Sequence, residues 1–271
     1  MTSAPALGSP PLAAPIGLPT VPRDPRPVAR LEAEDHAPIA PPAATSLVTP
    51  AWLSRLPSRL FFVDVETTGL HRSDRIVSFA GILLTTKDLA QAQLNIKHVH
   101  LLFDPGRKSH PEAETLHGYD DWTLRHQAFF SEHATVIREL FDAADLIVAH
   151  NAEFDIGFIN REFEALGESP IGNPIYCTMQ AYRQTGYAGR ASLDAIAHRI
   201  GLVRAGKRHG AFEDAWLTMM VYLWLNECPY RAPFNVVPNP GPANMRPVPP
   251  MPPGDLPARK RRPRTTKRKE A

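Results

Sequence analysis

The central part of the chain, from about residue 50 to residue 228, alternates between two kinds of hydrophobic spacing. Three consecutive segments, beginning near residues 59, 75 and 92, have the short apolar runs or two-residue alternation of β-strands. The segments that follow are a helix at 134–144, a short apolar strand at 145–151, and helices at 154–166, 192–202 and 209–227. A meander of strands followed by a strand between helices predicts an α/β fold with a mixed central β-sheet flanked by helices.

Prolines distinguish the two ends of the chain from this centre. The 271 residues include 29 prolines, well above the usual share of about 5%, and most of them fall in the first fifty and last forty residues. Neither end has helical or strand periodicity, which predicts disordered, Pro-rich tails. The predicted organisation is therefore a disordered N-terminal segment 1–50, one domain at 51–228, and a disordered, Pro-rich and basic tail at 229–271.

Several classes of protein are excluded by simple features. The N-terminus has no basic start followed by an apolar block, so a secretory signal is not predicted. The longest apolar run, "WLTMMVYLWL", is about half of the roughly 18 residues that a membrane helix needs. Two cysteines, Cys177 and Cys228, form neither a disulfide framework nor a metal-binding spacing. These features predict a cytoplasmic protein.

Positive charge is concentrated at the C-terminus. From Asp255 onward the tail has eight basic and two acidic residues, or +6, and the whole chain is only +2, so the rest is −4. A detachable basic tail on a mildly acidic domain indicates sequence-independent attraction to polyanions. We hypothesise that this tail prolongs residence on nucleic acid.

Two carboxylates interrupt the first predicted strand, "FFVDVETTGL", at Asp64 and Glu66. Residues two apart in a strand face the same side, so the two charges repel and both lose hydration. A divalent cation would relieve both penalties, and the small residues that follow would let a substrate backbone approach. By itself the pair fits a metal site and an exposed edge strand equally well.

Two more acidic segments follow. Asp155 lies in the first turn of an apolar helix that Asn151 is placed to N-cap, and His209 precedes Asp214 by five residues at the start of another apolar helix. Taken singly, each acid is also explained by the helix dipole. Together the segments supply four carboxylates and one imidazole from separate elements, which is the side-chain set of a two-metal phosphodiesterase.

Four motifs connect these residues to a known family. They are "DVETTGL" at 64–70, "PEAETLHG" at 111–118, "HNAEFDIGF" at 150–158 and "HGAFEDA" at 209–215. In order and spacing, over about residues 58 to 226, the chain resembles the DEDDh (DnaQ-like) 3′–5′ exonucleases, most closely the proofreading epsilon subunits of bacterial DNA polymerase III. The resemblance implies a ribonuclease H-like fold and metal-dependent removal of nucleotides from 3′ ends.

The resemblance also implies roles for individual residues. Asp64, Glu66, Asp155 and Asp214 correspond to the metal ligands, and His209 corresponds to the general base. Glu153 occupies a variable position of the second motif, which argues against it as a ligand. The residues expected to bind substrate are Thr67, Thr68, Gly69, Leu70, Glu112, His117, Asn151 and Phe158.

The mechanism expected from this set uses two Mg²⁺ or Mn²⁺ ions, about 3.5–4 Å apart, on the scissile phosphate. Asp64, Glu66 and Asp214 would hold one ion, and Asp64 with Asp155 the other, while His209 takes a proton from the attacking water. The expected substrates are single-stranded or frayed DNA 3′ ends, in proofreading or repair, with a DNA polymerase subunit as a candidate partner. The alternatives are an RNA-trimming exoribonuclease of the same superfamily and a non-catalytic nucleic-acid-binding scaffold.

Overall fold

The computed structural model describes residues 50–91, 94–204, 208–229 and 240–259. Within these ranges the chain forms five β-strands and seven α-helices. The strands are β1 Arg59–Thr67, β2 Ile76–Thr85, β3 Asn95–Leu102, β4 Leu146–Ala149 and β5 Ile175–Cys177. The helices are α1 Pro111–His117, α2 Asp121–Leu124, α3 Ala134–Asp142, α4 Ala152–Ala165, α5 Thr178–Gln184, α6 Leu193–Arg199 and α7 Ala211–Leu225.

The strands form one mixed sheet in the order β3-β2-β1-β4-β5. The meander β1–β2–β3 is antiparallel, whereas β1–β4 and β4–β5 are parallel. Pairing between β1 and β4 ends at Phe62 and Val148, so the last residues of β1 extend past β4. The predicted mixed sheet flanked by helices is confirmed, and the ends of β1 and β4 meet where the acidic motifs lie.

Residues of β1 alternate between two buried layers. Leu60 and Phe62 pack in the cluster that contains α7, and Phe61 and Val63 pack in the cluster that contains α3 and α4. α7 has no solvent-exposed polar face, because nearly all of its residues are buried. The central strand is thus covered on both faces, which explains why its apolar run is nearly continuous.

A close approach inside the sheet requires glycine at position 81. A Cβ atom there would lie 2.3 Å from Cζ of Phe61, the residue paired with Leu83 across β1 and β2. The Phe61 ring is fully buried and meets Phe141 of α3 edge-on, with centroids 5.1 Å apart. Gly81 therefore lets this ring lie flat on the sheet and fill the layer under α3.

Residues 240–259, which we call the strap, lie within the segment 229–271 that is predicted to be disordered. The strap has no regular secondary structure, but it makes hydrogen bonds to the domain, beginning with the Ala243 amide to the His100 carbonyl at 2.8 Å. The predicted segment 1–50 and the basic residues from 260 onward lie outside the described residues, apart from Pro50. In the described ranges every helix is too short or too polar to cross a bilayer.

A buried histidine on β3 should make stability depend on pH. His100 is 2% exposed and lies next to Ser78, His98 and Phe212; burial lowers its pKa from 6.5 to about 4. The unfolded chain binds this proton more tightly, so the free energy of unfolding should fall as pH drops from about 6.5 to about 4, by up to about 3 kcal/mol. Chemical denaturation of wild type and His100→Gln at several pH values should show a flatter dependence in the variant.

An exposed histidine provides the matched control for that experiment. His198 lies on the exposed side of α6, so His198→Gln should follow the wild-type pH dependence. A His100→Gln protein with the wild-type slope would mean that His100 does not titrate in this range.

Candidate active site

Asp64 and Glu66 lie on the face of β1 that is covered by α7. They continue the row of Leu60 and Phe62 toward the end of the strand, as the two-residue repeat predicts. Glu66 is 7% exposed and Asp64 is partly buried. The strand thus brings its two carboxylates to the point where α7 begins.

Asp214 reaches the same point from α7. The helix begins after Gly210, and Asp214 lies in its first turn with its amide bonded to the Gly210 carbonyl at 3.0 Å. One carboxylate oxygen from each of Asp64, Glu66 and Asp214 lies within 4.8 Å of the others. We call these three residues the acidic cluster, and the structure confirms that the first and third motifs converge.

The cluster is electrostatically strained. Burial, followed by Asp155, Asp214 and Glu66, raises the pKa of Asp64 well above its ordinary value. Burial and the charge of Asp214 raise the pKa of Glu66 to about 8. Carboxylates resist ionisation when they are buried together, and a bound divalent cation would remove this penalty. Three oxygen ligands this close are the donor set that hard cations such as Mg²⁺ prefer.

Asp155 lies beside the acidic cluster rather than within it. Its Oδ1 accepts a hydrogen bond from the Val65 amide at 3.1 Å. This amide is free to donate to Asp155 because the pairing of β1 with β4 ends at Phe62. Burial raises the pKa of Asp155, and the charges of Glu66 and Asp214 add to the effect. The second motif therefore reaches the cluster from α4, while Glu153 is exposed at the start of that helix.

Arg204 provides a positive charge that sequence reasoning missed. Its guanidinium forms ion pairs with Asp214 and, at 2.6 Å, with Asp194 of α6, and it lies 3.9 Å from Glu213. The side chain is only 8% exposed, so the charges interact strongly. Arg204 therefore offsets part of the negative charge of the acidic cluster. The only signal in the sequence is a run of basic residues just before the third motif.

His209 is held against the acidic cluster by Asp214. Its Nδ1 lies 3.2 Å from Asp214 Oδ2, and its Nε2 lies 4.0 Å from Asp194 Oδ2. The hydrogen bond that Nδ1 donates to Asp214 raises the pKa of His209 above its ordinary value. The His209 amide also donates to the Leu116 carbonyl at 3.0 Å, which joins this loop to α1. The imidazole remains 31% exposed and so can reach a ligand.

A cavity of about 820 Å³, which we call the main cavity, opens beside Glu66. One wall is the loop after β1, where Thr67 Oγ1 donates to the Gly69 carbonyl and Thr68 Oγ1 donates to Asp74, both at 2.8 Å. A Cβ atom at Gly69 would lie 2.6 Å from Asp74 Oδ2, so a larger residue here would displace the carboxylate that Thr68 contacts. Leu70 extends from this loop with 82% of its surface exposed.

The opposite wall of the main cavity is α1 and the residues before it. The wall is attached to the Thr67–Leu70 loop, because the His110 amide donates to the Thr68 carbonyl at 2.7 Å. Glu112 is exposed toward the opening. His117 is buried, and its Nδ1 accepts from the Tyr119 amide at 3.0 Å. The proton is therefore on Nε2, which has no hydrogen-bond partner among the described residues.

Two of the expected substrate contacts lie on different cavities. Asn151 precedes α4 but does not cap it through its side chain, since its backbone is left-handed at φ 63°; the residue lines the main cavity instead. Phe158 is 3% exposed and lies on a smaller cavity with Arg161, whose guanidinium is 4.0 Å from the ring centroid. Phe154, one turn earlier, is the aromatic residue on the main cavity.

A family model and several known proteins match the part of the chain that carries this site. The family model described as Exonuclease (RNase_T) matches residues 61–222. DNA polymerase III subunit epsilon of Pasteurella multocida is 31% identical over 173 residues, which cover 62% of this chain and 68% of that protein. The subunit of Rickettsia prowazekii is 33% identical over 175 residues, covering 62% and 73%.

A solved structure shares the fold. Escherichia coli exonuclease I in complex with a dA16 oligonucleotide superimposes with a TM-score of 0.54 at 19% identity. The match covers 64% of this chain and 41% of the exonuclease I chain.

Proposed function

Since the chain belongs to the DnaQ-like family of 3′–5′ exonucleases, we propose that it hydrolyses DNA from the 3′ end to nucleoside 5′-monophosphates with divalent cations held at the acidic cluster. The observation that carries this proposal is the convergence of three carboxylates within 4.8 Å, next to His209 and beside the main cavity, which Glu66 lines. DNA is the proposed substrate because the epsilon relatives are named as subunits of a DNA polymerase. A polymerase subunit is the partner that these relatives favour.

The residues present fit a divalent cation. Asp64, Glu66 and Asp214 offer oxygen ligands whose mutual repulsion a divalent cation would offset. Asp155 is close enough to contribute to the same charge balance. When bound, Mg²⁺ or Mn²⁺ would activate water and stabilise charge on the leaving oxygen. Arg204, which is paired with Asp214, would share that carboxylate's negative charge with the cation.

His209 is the proposed general base. With Nδ1–H donated to Asp214 Oδ2, the lone pair on Nε2 is the one that can accept a proton from the attacking water. Asp214 then stabilises the imidazolium that forms. This arrangement holds the ring in one orientation and one tautomer, as in other catalytic His–Asp pairs.

The main cavity is proposed to hold the terminal nucleotide. Thr67, Thr68 and Gly69 form a rigid edge against which a sugar and base can lie, and the exposed side chain of Leu70 extends this edge. On the opposite wall, Glu112 and the Nε2–H of His117 can accept from and donate to the terminal sugar. The backbone hydrogen bond between Thr68 and α1 keeps the walls at a fixed separation.

Digestion of 5′-labelled single-stranded DNA tests the proposal. With Mg²⁺ we expect a ladder that shortens from the 3′ end and releases nucleoside 5′-monophosphates, and with EDTA we expect none. Shortening from the 5′ end would contradict the proposal, and absence of turnover would favour a binding scaffold. A matched RNA oligonucleotide, tested in parallel, distinguishes the two nucleic acids by rate, and faster cleavage of the RNA would reassign the substrate.

A further inference from the structure

The smaller cavity that Phe158 lines has arginines on two sides. It measures about 340 Å³ and lies between the loop that joins β1 to β2, which contributes Arg72 and Arg75, and α4, which contributes Arg161. We call it the arginine pocket. Its three arginines do not contact the acidic cluster, and the proposed function gives them no role.

Arg75 is fixed in place and its charge is balanced. Its Nε donates to Glu162 Oε1 at 2.6 Å, and a second guanidinium nitrogen contacts the other oxygen of this carboxylate, which is only 4% exposed. The backbone of Arg75 is also held. Its carbonyl accepts from the Thr68 amide at 2.9 Å, and its amide donates to Thr68 Oγ1 at 3.1 Å. The arginine pocket is thus attached to a residue that lines the main cavity.

Arg161 is oriented but lacks an acceptor. Its guanidinium lies 4.0 Å from the ring centroid of Phe158, and its Nε is buried with no hydrogen-bond partner among the described residues. Burial, followed by the charge of Arg72, lowers the pKa of Arg161 below its ordinary value, and Glu162 acts in the opposite direction. The ring holds the guanidinium in one orientation, and an oxyanion would supply the missing acceptor and negative charge.

The acids of the arginine pocket leave two positive charges unmatched. The acid that contacts Arg75 is already paired. Asp74 lies 3.3 Å from Arg107, and Glu164 is exposed. In the part of the chain that the structure describes, neither Arg72 nor Arg161 forms an ion pair. Two guanidinium groups from separate elements therefore face the same pocket with one exposed acid between them and solvent.

The arginine pocket borders the main cavity. Asp74 lines both, and the Phe158 ring packs against Phe154 of the main cavity with centroids 4.8 Å apart. Arg72 is two residues past the exposed Leu70, a chain distance of at most about 7 Å. A strand that leaves the main cavity over Leu70 therefore comes next to Arg72.

We propose that Arg72 and Arg161 together bind one phosphodiester group of the DNA strand, upstream of the terminal nucleotide in the main cavity. The inference rests on the proposed function for the identity and direction of that strand. Guanidinium groups match the oxygens of a phosphate with paired hydrogen bonds, and Arg161 loses little freedom because the Phe158 ring already orients it. Such a contact positions the strand without reading its sequence.

Binding of a 5′-labelled single-stranded 12-mer, measured by fluorescence anisotropy in EDTA at several salt concentrations, tests the site. Arg72→Gln and Arg161→Gln should each weaken binding roughly 3–10-fold, the value of one lost hydrogen-bonding contact. The double variant should bind less than additively weaker, because both arginines hold the same phosphate. Its slope of log K against log salt should fall by about 0.7, as expected for one phosphate on a single strand.

Two further variants serve as controls. The Arg138 guanidinium also lies over a phenylalanine ring, but it is paired with Glu168 and lines a different cavity, so Arg138→Gln should bind within about two-fold of wild type. Glu164→Gln removes the exposed acid of the arginine pocket and should tighten binding by up to about three-fold. If neither arginine variant of the pocket binds more weakly than Arg138→Gln, the proposal is wrong.

The length of the oligonucleotide distinguishes a phosphate of the strand from a free phosphate. Unlabelled competitors of 2 to 12 nucleotides should show no difference between wild type and the double variant for the dinucleotide, and a difference once the strand reaches the arginine pocket. Inorganic phosphate tests the other source. If it stabilises wild type but not the double variant against thermal unfolding, while oligonucleotide affinities agree at every length, the pocket binds a free anion and the proposal fails.

Failure of this inference and failure of the proposed function give different results. A wild-type protein that releases no nucleotides with Mg²⁺ would refute the proposed function, whereas affinities measured in EDTA would still decide the role of the arginine pocket. Normal turnover with equal affinities for all variants would refute the pocket alone. Thermal unfolding checks that each variant is folded, and Arg72 is exposed, so its variant decides the question if Arg161→Gln is unstable.

Discussion

Asp64→Asn should abolish nucleotide release and at the same time make the ion-free protein more stable. Asp64 is the carboxylate on which burial and three neighbouring acids act together, so a neutral side chain of the same shape removes repulsion from the folded state. The variant also loses a ligand at the acidic cluster. If metal assistance contributes several kcal/mol to the rate, the turnover should fall by roughly 10³-fold or more.

Two measurements on the same protein check this prediction. In EDTA at pH 8, chemical denaturation should show a gain of about 0.5–2 kcal/mol in the free energy of unfolding, and digestion with Mg²⁺ should show the loss of activity. Asp142→Asn, at an exposed position at the end of α3, should change neither quantity. An Asp64→Asn protein that is both inactive and less stable would mean that Asp64 supports the fold, and its loss of activity would then not identify a ligand.

The strands and the convergence of the motifs were predictable because both follow from local rules. The apolar run at residues 59–65 predicted β1, and the two-residue repeat of a strand placed Asp64 and Glu66 on one face. The apolar segment that became α7 could only be buried, so Asp214 in its first turn had to lie near the sheet. α1 and β5 were not predicted as elements, since a seven-residue helix and a three-residue strand have too few residues to show a period.

The parts that could not be predicted depend on contacts between distant residues. From sequence alone, Arg204 cannot be distinguished from a surface arginine. Only the packing of α6 and α7 places Asp194 and Asp214 against its guanidinium. The strap is similar: its proline content indicates an extended chain, and extended chains without a partner are disordered. What orders it is the complementary surface on β3 and α2, including the hydrogen bonds of Asn244 to Leu102.

The placement of Phe154 and Phe158 shows what motif-based assignment leaves open. The second motif contains two phenylalanines one turn apart, and the resemblance assigned the substrate contact to Phe158. In the structure Phe158 is buried and Phe154 faces the main cavity. The two rings pack against each other with centroids 4.8 Å apart. A helical period specifies that both lie on one side of α4, but only the position of the β1 loop decides which one is covered.

His209→Ala should lower turnover by roughly 10²–10⁴-fold, the usual contribution of a general base, while leaving the fold intact. The side chain is partly exposed and lies on the loop before α7, so its removal creates no large cavity in the core. The acidic cluster keeps all three carboxylates. Mn²⁺ affinity, measured by calorimetry in the absence of DNA, should therefore remain within a few-fold of wild type.

Added imidazole discriminates between a base and a purely positioning residue. If the Nε2 atom of His209 accepts the proton, imidazole in solution should restore part of the lost rate, since the vacated space opens toward solvent. His198→Ala, an exposed histidine on α6, should be fully active and insensitive to imidazole. A His209→Ala protein with near-normal turnover would remove His209 from the mechanism. Parallel losses of rate and Mn²⁺ affinity, without rescue, would show that the ring acts only by orienting Asp214 through the 3.2 Å contact.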